Sequence, residues 1–106
     1  MRTYNQSVAL TDRQKTHLRR LGHGLHPVVR VGQRGLTDGV VTELARALHD
    51  HELVKVRARA GNRENRDSVL ATLAGATGSE LVHQIGNVGL FYRKNNTLNK
   101  ILLPDS

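Results

Sequence analysis

Apolar residues recur every three or four positions in three stretches of the chain, which is the spacing of amphipathic helices. The first predicted helix follows Thr11, because Thr11 and Gln14 have the spacing of a capping box. The second is predicted to begin after Thr37 or Asp38, either of which can cap it. The third is predicted to end at Gly78, because glycine commonly terminates helices.

Between and after these helices lie short runs that are typical of strands. They are HPVVRV (residues 26–31), ELVKVRARA (residues 52–60) and a pair within ELVHQIGNVGLFYRK (residues 80–94), where Gly86-Asn87 predicts a hairpin turn. In the second run, valine and alanine alternate with a largely basic set formed by Leu53, Lys55, Arg57 and Arg59. The sheet is therefore expected to have one packed face and one basic face at this strand.

The predicted order is helix, strand, helix, strand, helix, strand, strand. This order indicates an α/β fold with right-handed crossovers, some parallel pairing and a final antiparallel hairpin. We expect a compact two-layer domain at residues 9–104, after a short tail at residues 1–8. No apolar run reaches the length of a membrane span, and the first residues lack the apolar segment of a secretory signal. A cytoplasmic protein that does not engage membranes is expected.

Charge narrows the choice of partners. The 106 residues carry 16 Lys and Arg against 9 Asp and Glu, a net charge of +7. Up to Arg66 there are 13 basic and 6 acidic residues, whereas the remainder has 3 of each. A field of this sign attracts polyanions, above all nucleic acid. With only 2 Tyr, 1 Phe and no Trp, recognition of the backbone and shape is favoured over base stacking on aromatic rings.

The sequence offers little for catalysis or for metal binding. There are no cysteines, and the acidic residues include no close pair suited to acid–base chemistry. His49 and His51 lie two apart on a predicted helix and so face different directions. His23 and His26 lie where the first predicted helix ends and next to a proline, so the relative direction of their side chains is open. We expect no enzyme activity, no metal site and no cofactor.

The segment VRVGQRGLTDGV (residues 30–41) joins a strand to a helix through Gly32, Gln33, Arg34 and Gly35. Two glycines would let a phosphate approach the backbone N–H groups, with the helix start and Arg34 adding positive charge. The alternative is a tight turn in which the glycines only supply unusual backbone angles. On the functional interpretation, Gly35→Asp weakens binding with little change in stability.

Four stretches together resemble a known family: LTDRQKTHLRRLGHGLHPVVRVGQRGLTDGVV, ELARALHDHELVKV, ATGSELVHQIGNVGLFYR and ILLP. They resemble the CRM domain (chloroplast RNA splicing and ribosome maturation), in particular its stand-alone bacterial YhbY-type members. The resemblance implies a four-stranded mixed sheet similar to the C-terminal domain of translation initiation factor three. It also implies RNA binding through a GxxG loop like that of KH domains, with precursor ribosomal RNA of the large subunit as the ligand.

The expected RNA-binding residues are the Gly32–Gly35 loop and the basic residues around it. They are Gly32, Gln33, Arg34, Gly35, Lys15, Arg19, Arg20 and Arg30, with a possible second patch at Lys55, Arg57 and Arg59. For both basic groups, a solvated surface is the alternative. A monomeric factor in large-subunit assembly is expected; a protein-interaction module that docks on the ribosome and an unspecific, charge-driven nucleic-acid binder stay open.

Overall fold

A computed structural model describes residues 9–59, 61–98 and 100–105, so the predicted tail at residues 1–8 lies outside the described residues. Its elements follow the predicted order. They are α1 (Asp12–Gly22), β1 (Pro27–Val31), α2 (Asp38–His51), β2 (Leu53–Ala58), α3 (Arg63–Thr77), β3 (Glu80–Ile85) and β4 (Val88–Tyr92). Within the described ranges, no helix has the length and apolar character needed to cross a membrane.

Local side-chain chemistry sets the ends of the helices as predicted. The Thr11 hydroxyl accepts a hydrogen bond from the Gln14 N–H at 3.1 Å, and the Gln14 side chain accepts one from the Thr11 N–H at 3.0 Å. Thr37, rather than Asp38, caps α2. Gly78 ends α3 in the left-handed conformation at φ 64°. These caps satisfy N–H and C=O groups that a helix end otherwise leaves free.

The four strands form a mixed sheet in the order β1-β2-β4-β3, which confirms the predicted class. β1 pairs with β2 in parallel, and β4 pairs with both β2 and β3 in antiparallel fashion. Because β1 and β2 are parallel neighbours, their carboxyl ends lie at the same edge of the sheet. The loops that lead into α2 and α3 leave from that edge.

The two faces of the sheet are covered to different extents. On one face, valines of β1 and β2 and Phe91 of β4 pack against Leu44 and Leu48 of α2 and against α3 in the larger core. On the other face, Leu18 of α1 packs in a smaller cluster whose remaining members are Leu53, Val82, Leu90 and Tyr92. The predicted two layers are thus α2 and α3 on the sheet, to which α1 adds a partial third layer.

Helix α1 lies very close to the sheet but covers only part of it. A Cβ atom at Gly22 would come within 2.8 Å of the Leu90 side chain, so this glycine permits the close approach. With 11 residues, α1 is about 16 Å long at the usual rise per residue. The part of this face that includes Arg57 and Ile85 therefore stays open beside the helix, and Ile85 is 68 % exposed.

Strand β2 starts at Leu53, one residue later than predicted, because Glu52 ends α2 instead. Glu52 has φ 66°, the only positive φ of a non-glycine residue in the described ranges, and it is fully buried. Its carboxylate accepts hydrogen bonds from the N–H groups of Asn95 (2.7 Å), Lys100 (2.7 Å) and Ile101 (2.8 Å). Three donors offset the cost of burying the charge and fasten the C-terminal segment (residues 93–105) to the body.

Arg93 is a structural arginine at the end of β4. Its guanidinium donates to the carbonyl oxygens of Thr77, at 2.8 Å, and Ala45, at 2.9 Å. Thr77 is the last residue of α3, where a helix leaves C=O groups unpaired and carries partial negative charge. This side chain therefore joins α2, α3 and β4, and its role is structural.

We predict that Glu52→Gln lowers the free energy of unfolding by about 1–3 kcal/mol, because the amide nitrogen cannot accept a hydrogen bond and leaves a buried N–H unpaired. Urea denaturation measures the loss. The matched control is Glu43→Gln, since Glu43 is exposed on α2, and it should change stability by less than about 0.5 kcal/mol. Equal stability of the two variants would contradict the role assigned to Glu52.

Candidate nucleic-acid interface

The Gly32–Gly35 loop is a tight turn that needs only one of its two glycines. The Gly35 N–H donates to the Gly32 carbonyl at 2.9 Å, and Gly35 has φ 73°, in the region that disfavours side chains. At Gly32 the φ is not positive, and a Cβ atom would meet nothing within 4 Å. The turn interpretation thus accounts for Gly35, whereas nothing in the fold requires glycine at position 32.

The loop presents its polar side chains to solvent. Gln33 and Arg34 are exposed, while Leu36 packs on the larger core and anchors the exit of the loop. Thr37 then caps α2, so the loop leads directly into a helix N-terminus. The N–H groups in the first turn of a helix carry partial positive charge, which favours an anion at this end of the loop.

Beside the loop lies a cleft of about 800 Å³ at the carboxyl ends of β1 and β2. The N-terminus of α3 forms its other wall, with Asn62 as the cap. Three arginines and no acidic residue lie among the described residues that line it. The described residues that line the cleft are Gln33, Gly35, Ala58, Arg59, Gly61, Asn62, Arg63, Asn65, Arg66, Ser68, Val69 and Asn87. The cleft therefore combines arginine side chains with a helix N-terminus, a combination suited to phosphate.

Reasoning from the sequence missed the contribution of α3. Residues 61–65 (GNREN) predicted only a turn and a cap, yet Arg63 and Arg66 line the cleft together with Asn87 of the β3–β4 turn. Arg66 also forms an ion pair with Asp67 at 3.5 Å. A signal was present, since Arg63 and Arg66 are three apart in the first helical turn and so share a helix face.

The structure divides the second basic patch. Arg59 lines the cleft beside the loop, whereas Lys55 and Arg57 lie in a groove between α1 and the open part of the sheet. Arg30 joins the groove side of the sheet, because it is the register partner of Arg57 on the neighbouring parallel strand. The alternation along β2 was predicted, but β2 ends at Ala58, so Arg59 belongs to the loop that follows the strand.

The basic residues of α1 also separate. Arg19 lines the same groove as Lys55 and Arg57, while Arg20 lies on another side of the helix with Arg13 and His17. Lys15 forms an exposed ion pair with Glu80 at 3.7 Å. Consecutive helix positions differ by about 100° in direction, and Arg19 and Arg20 accordingly line different grooves. The structure brings Arg19, not Arg20, to the basic side of the sheet.

Metal-ligating groups do not converge in the part of the chain that the structure describes, where no cluster of three or more His, Cys, Asp or Glu side chains occurs. Of the histidines considered for a metal pair, His49 lies 3.4 Å from the Asn95 amide nitrogen and its carbonyl accepts from that amide. This histidine takes part in holding the C-terminal segment.

Comparison with known proteins identifies the family. The CRS1/YhbY (CRM) domain model matches residues 10–93. "Probable RNA-binding protein PA4753" of Pseudomonas aeruginosa is 46 % identical over 95 residues, which cover 90 % of this chain and 91 % of that protein. An "RNA-binding protein" of Haemophilus influenzae is 38 % identical over 92 % of this chain and 97 % of its own length.

A solved structure shows the same fold. The solution structure of SAV1595 from Staphylococcus aureus, described as a candidate RNA-binding protein, superposes with a TM-score of 0.78 at 33 % identity, covering 91 % of this chain and all of that one. The chain belongs to the CRS1/YhbY (CRM) domain family, as the resemblance predicted.

We predict different costs for alanine at the two loop glycines. Gly35→Ala should lower the free energy of unfolding by about 1 kcal/mol, because a Cβ is strained at φ 73°. Gly32→Ala should change it by less than about 0.5 kcal/mol. The expectation that Gly35→Asp changes stability little conflicts with this backbone angle, because the Cβ of aspartate is also strained at φ 73°. Urea denaturation of both variants makes the comparison, and equal losses would contradict it.

Proposed function

We propose that this protein is an RNA-binding factor in the assembly of the large ribosomal subunit, with precursor ribosomal RNA as its ligand. Residues 9–104 are its RNA-binding domain, and it acts as a monomer in the cytoplasm, by binding rather than by catalysis. The names of the relatives support RNA as the ligand. The ribosomal assignment rests on the family resemblance.

The observation that carries the proposal is the union of loop and cleft at one edge of the sheet. There is open space at position 32, where the fold does not require glycine. Next to it lies a cleft whose described lining includes three arginines and no acidic residue. An RNA backbone supplies phosphates at regular intervals and so matches several cations at once.

In the proposed mechanism, one phosphate lies against the N–H groups of the loop and the first turn of α2, with Arg34 beside it. The next phosphates along the strand meet Arg59 and then Arg63 at the N-terminus of α3. Recognition is of the backbone, since Phe91 and Tyr92, the aromatic residues of the described ranges, are buried. Such contacts position an RNA without reading its sequence.

A second candidate function, docking on a protein, is favoured by one observation. An apolar groove of about 760 Å³ lies between α1, β1, the start of β2 and the C-terminal segment, and its exposed apolar residues are Leu21, Leu25, Val28 and Leu102. Exposed apolar surface of this kind marks contact sites for proteins. This face and the loop edge can be tested separately.

We predict a steep dependence of RNA affinity on salt. If about five phosphates are neutralised, the plot of log affinity against log salt concentration should have a slope of about −3.5 for unpaired RNA and about −4.5 for a duplex. Fluorescence anisotropy with a labelled RNA at several salt concentrations gives the slope. A flat response would exclude this mechanism.

We predict that Gly32→Asp prevents the tagged protein from binding its ribosomal ligand, because the carboxylate then occupies the space in which the proposed phosphate lies. On sucrose gradients at low salt, the wild-type protein should migrate with large-subunit precursors and crosslink to RNA at residues 32–35. Gly32→Asp should stay near the top of the gradient, whereas Arg46→Gln, exposed on α2, should migrate as wild type. Wild-type protein that stays at the top would remove the ribosomal assignment.

A further inference from the structure

The groove between α1 and the open part of the sheet combines an apolar floor with a basic rim. It has a volume of about 300 Å³, at the lower end of the range for small-molecule sites. Leu90, Val88 and Ile85 supply apolar surface, while Arg19 of α1 and His23, which follows the helix, face Lys55 and Arg57 of β2. No acidic residue lies among the described residues that line it.

The strand register makes this groove part of a row of side chains that crosses the sheet. Arg30 pairs with Arg57, Arg57 with Val88, and Val88 with Ile85, so these four side chains cross the sheet side by side on one face. The next row on that face has Lys55, Leu90 and His83. In the first of these rows the cations lie toward β1 and the apolar side chains toward β3, which gives this row a polar end and an apolar end.

Arg57 is incompletely satisfied by the protein. Its Nε atom is buried and finds no hydrogen-bond acceptor in the described part of the chain. Buried donors in folded proteins nearly always have a partner, so a donor without one calls for an acceptor from outside the protein. A phosphate or base oxygen in the groove would supply that acceptor.

We propose that this groove is a second RNA site, which takes one unpaired nucleotide with its base on Val88, Ile85 and Leu90 and its phosphate between Arg19 and Arg57. The proposal rests on the proposed RNA-binding function and extends it from the loop edge to the α1 face of the sheet. An unpaired base can lie flat on this apolar surface, whereas the bases of a duplex are stacked on one another and do not offer a face to it. Arginine guanidinium planes stack on bases where aromatic rings are absent.

His83 adds a dependence on pH to this site. The pKa of His83 lies below its usual value, mainly because the imidazole is partly buried and to a smaller extent because of the charges of Arg19 and His23. Lys55 and Arg57 face it from β2, and Glu80 on its own strand pairs with Lys15. His83 is therefore neutral in the free protein near pH 7, and a bound phosphate raises its pKa. Binding then takes up a proton, so affinity should rise as the pH falls from 7.5 to 5.5.

The test compares a labelled, unpaired ten-nucleotide RNA with a blunt RNA duplex of ten base pairs. Arg57→Gln should weaken binding of the unpaired RNA about tenfold, the loss of one hydrogen bond to a charged group, and should leave the duplex within about twofold of wild type. Arg46→Gln removes the same charge from an exposed site on α2, on the far side of the sheet. Equal effects of Arg57→Gln and Arg46→Gln would overturn the proposal.

Two further readouts protect the test against a variant that is merely unstable. In the native protein, unpaired RNA should shift the methyl NMR signals of Ile85 and Val88 but not that of Leu102, which is exposed in the separate apolar groove. His83→Gln should lose part of the rise in affinity at low pH. Unshifted Ile85 and Val88 signals, or an unchanged pH dependence in His83→Gln, would contradict the site.

Failure of this inference is distinguishable from failure of the proposed function. Gly32→Asp, at the loop edge, should weaken both the unpaired RNA and the duplex. If Gly32→Asp weakens both and Arg57→Gln weakens neither, the second site is wrong and the loop-edge interface stands. If the duplex binds Gly32→Asp as tightly as wild type, the loop-edge interface is wrong. The groove is then judged only by how strongly Arg57→Gln weakens binding of the unpaired RNA.

Discussion

The carboxylate of Glu52 determines how the outer parts of this molecule are arranged. It is fully buried, ends α2 with a positive φ and accepts three main-chain N–H groups of the C-terminal segment. That segment places Ile101 against the smaller core, and the Pro104 carbonyl accepts a hydrogen bond from the Gln14 side chain of α1 at 2.9 Å. One buried charge thus helps to hold α1 over the sheet, because a carboxylate without its donors could not stay there.

The position of α1 in turn decides which surfaces are available. Helices α2 and α3 close one face of the sheet, whereas α1 is too short to cover the other. The exposed remainder carries arginines toward β1 and aliphatic side chains toward β3. A fully covered sheet would leave only the loop edge for ligands, so the partial third layer gives the fold two basic surfaces in place of one.

The loop edge follows from topology as much as from composition. Parallel pairing of β1 and β2 brings two loops and two helix N-termini to one edge, where the Gly32–Gly35 turn meets Arg59 and Arg63. Helix termini contribute partial charges that do not depend on side chains, and the arginines add full ones. The two loop glycines differ: the backbone conformation requires glycine at position 35, whereas nothing in the fold requires it at position 32.

The order of elements, the cap at Thr11, the hairpin and the loop could be predicted from the sequence, because each depends on residues that are close in the chain. The pattern along the chain also predicted four strands, and the family resemblance implied that they form one mixed sheet. The choice of Thr37 over Asp38 as the cap of α2 came from the structure. Other features depend on distant contacts and emerged only with the tertiary structure. Lys55 and Arg57 were separated from Arg59 because β2 ends at Ala58, and Arg19 was separated from Arg20 because the two lie on different sides of α1. Glu52, placed at the start of a strand by its local pattern, became a buried helix end because its hydrogen-bond donors lie more than 40 positions away.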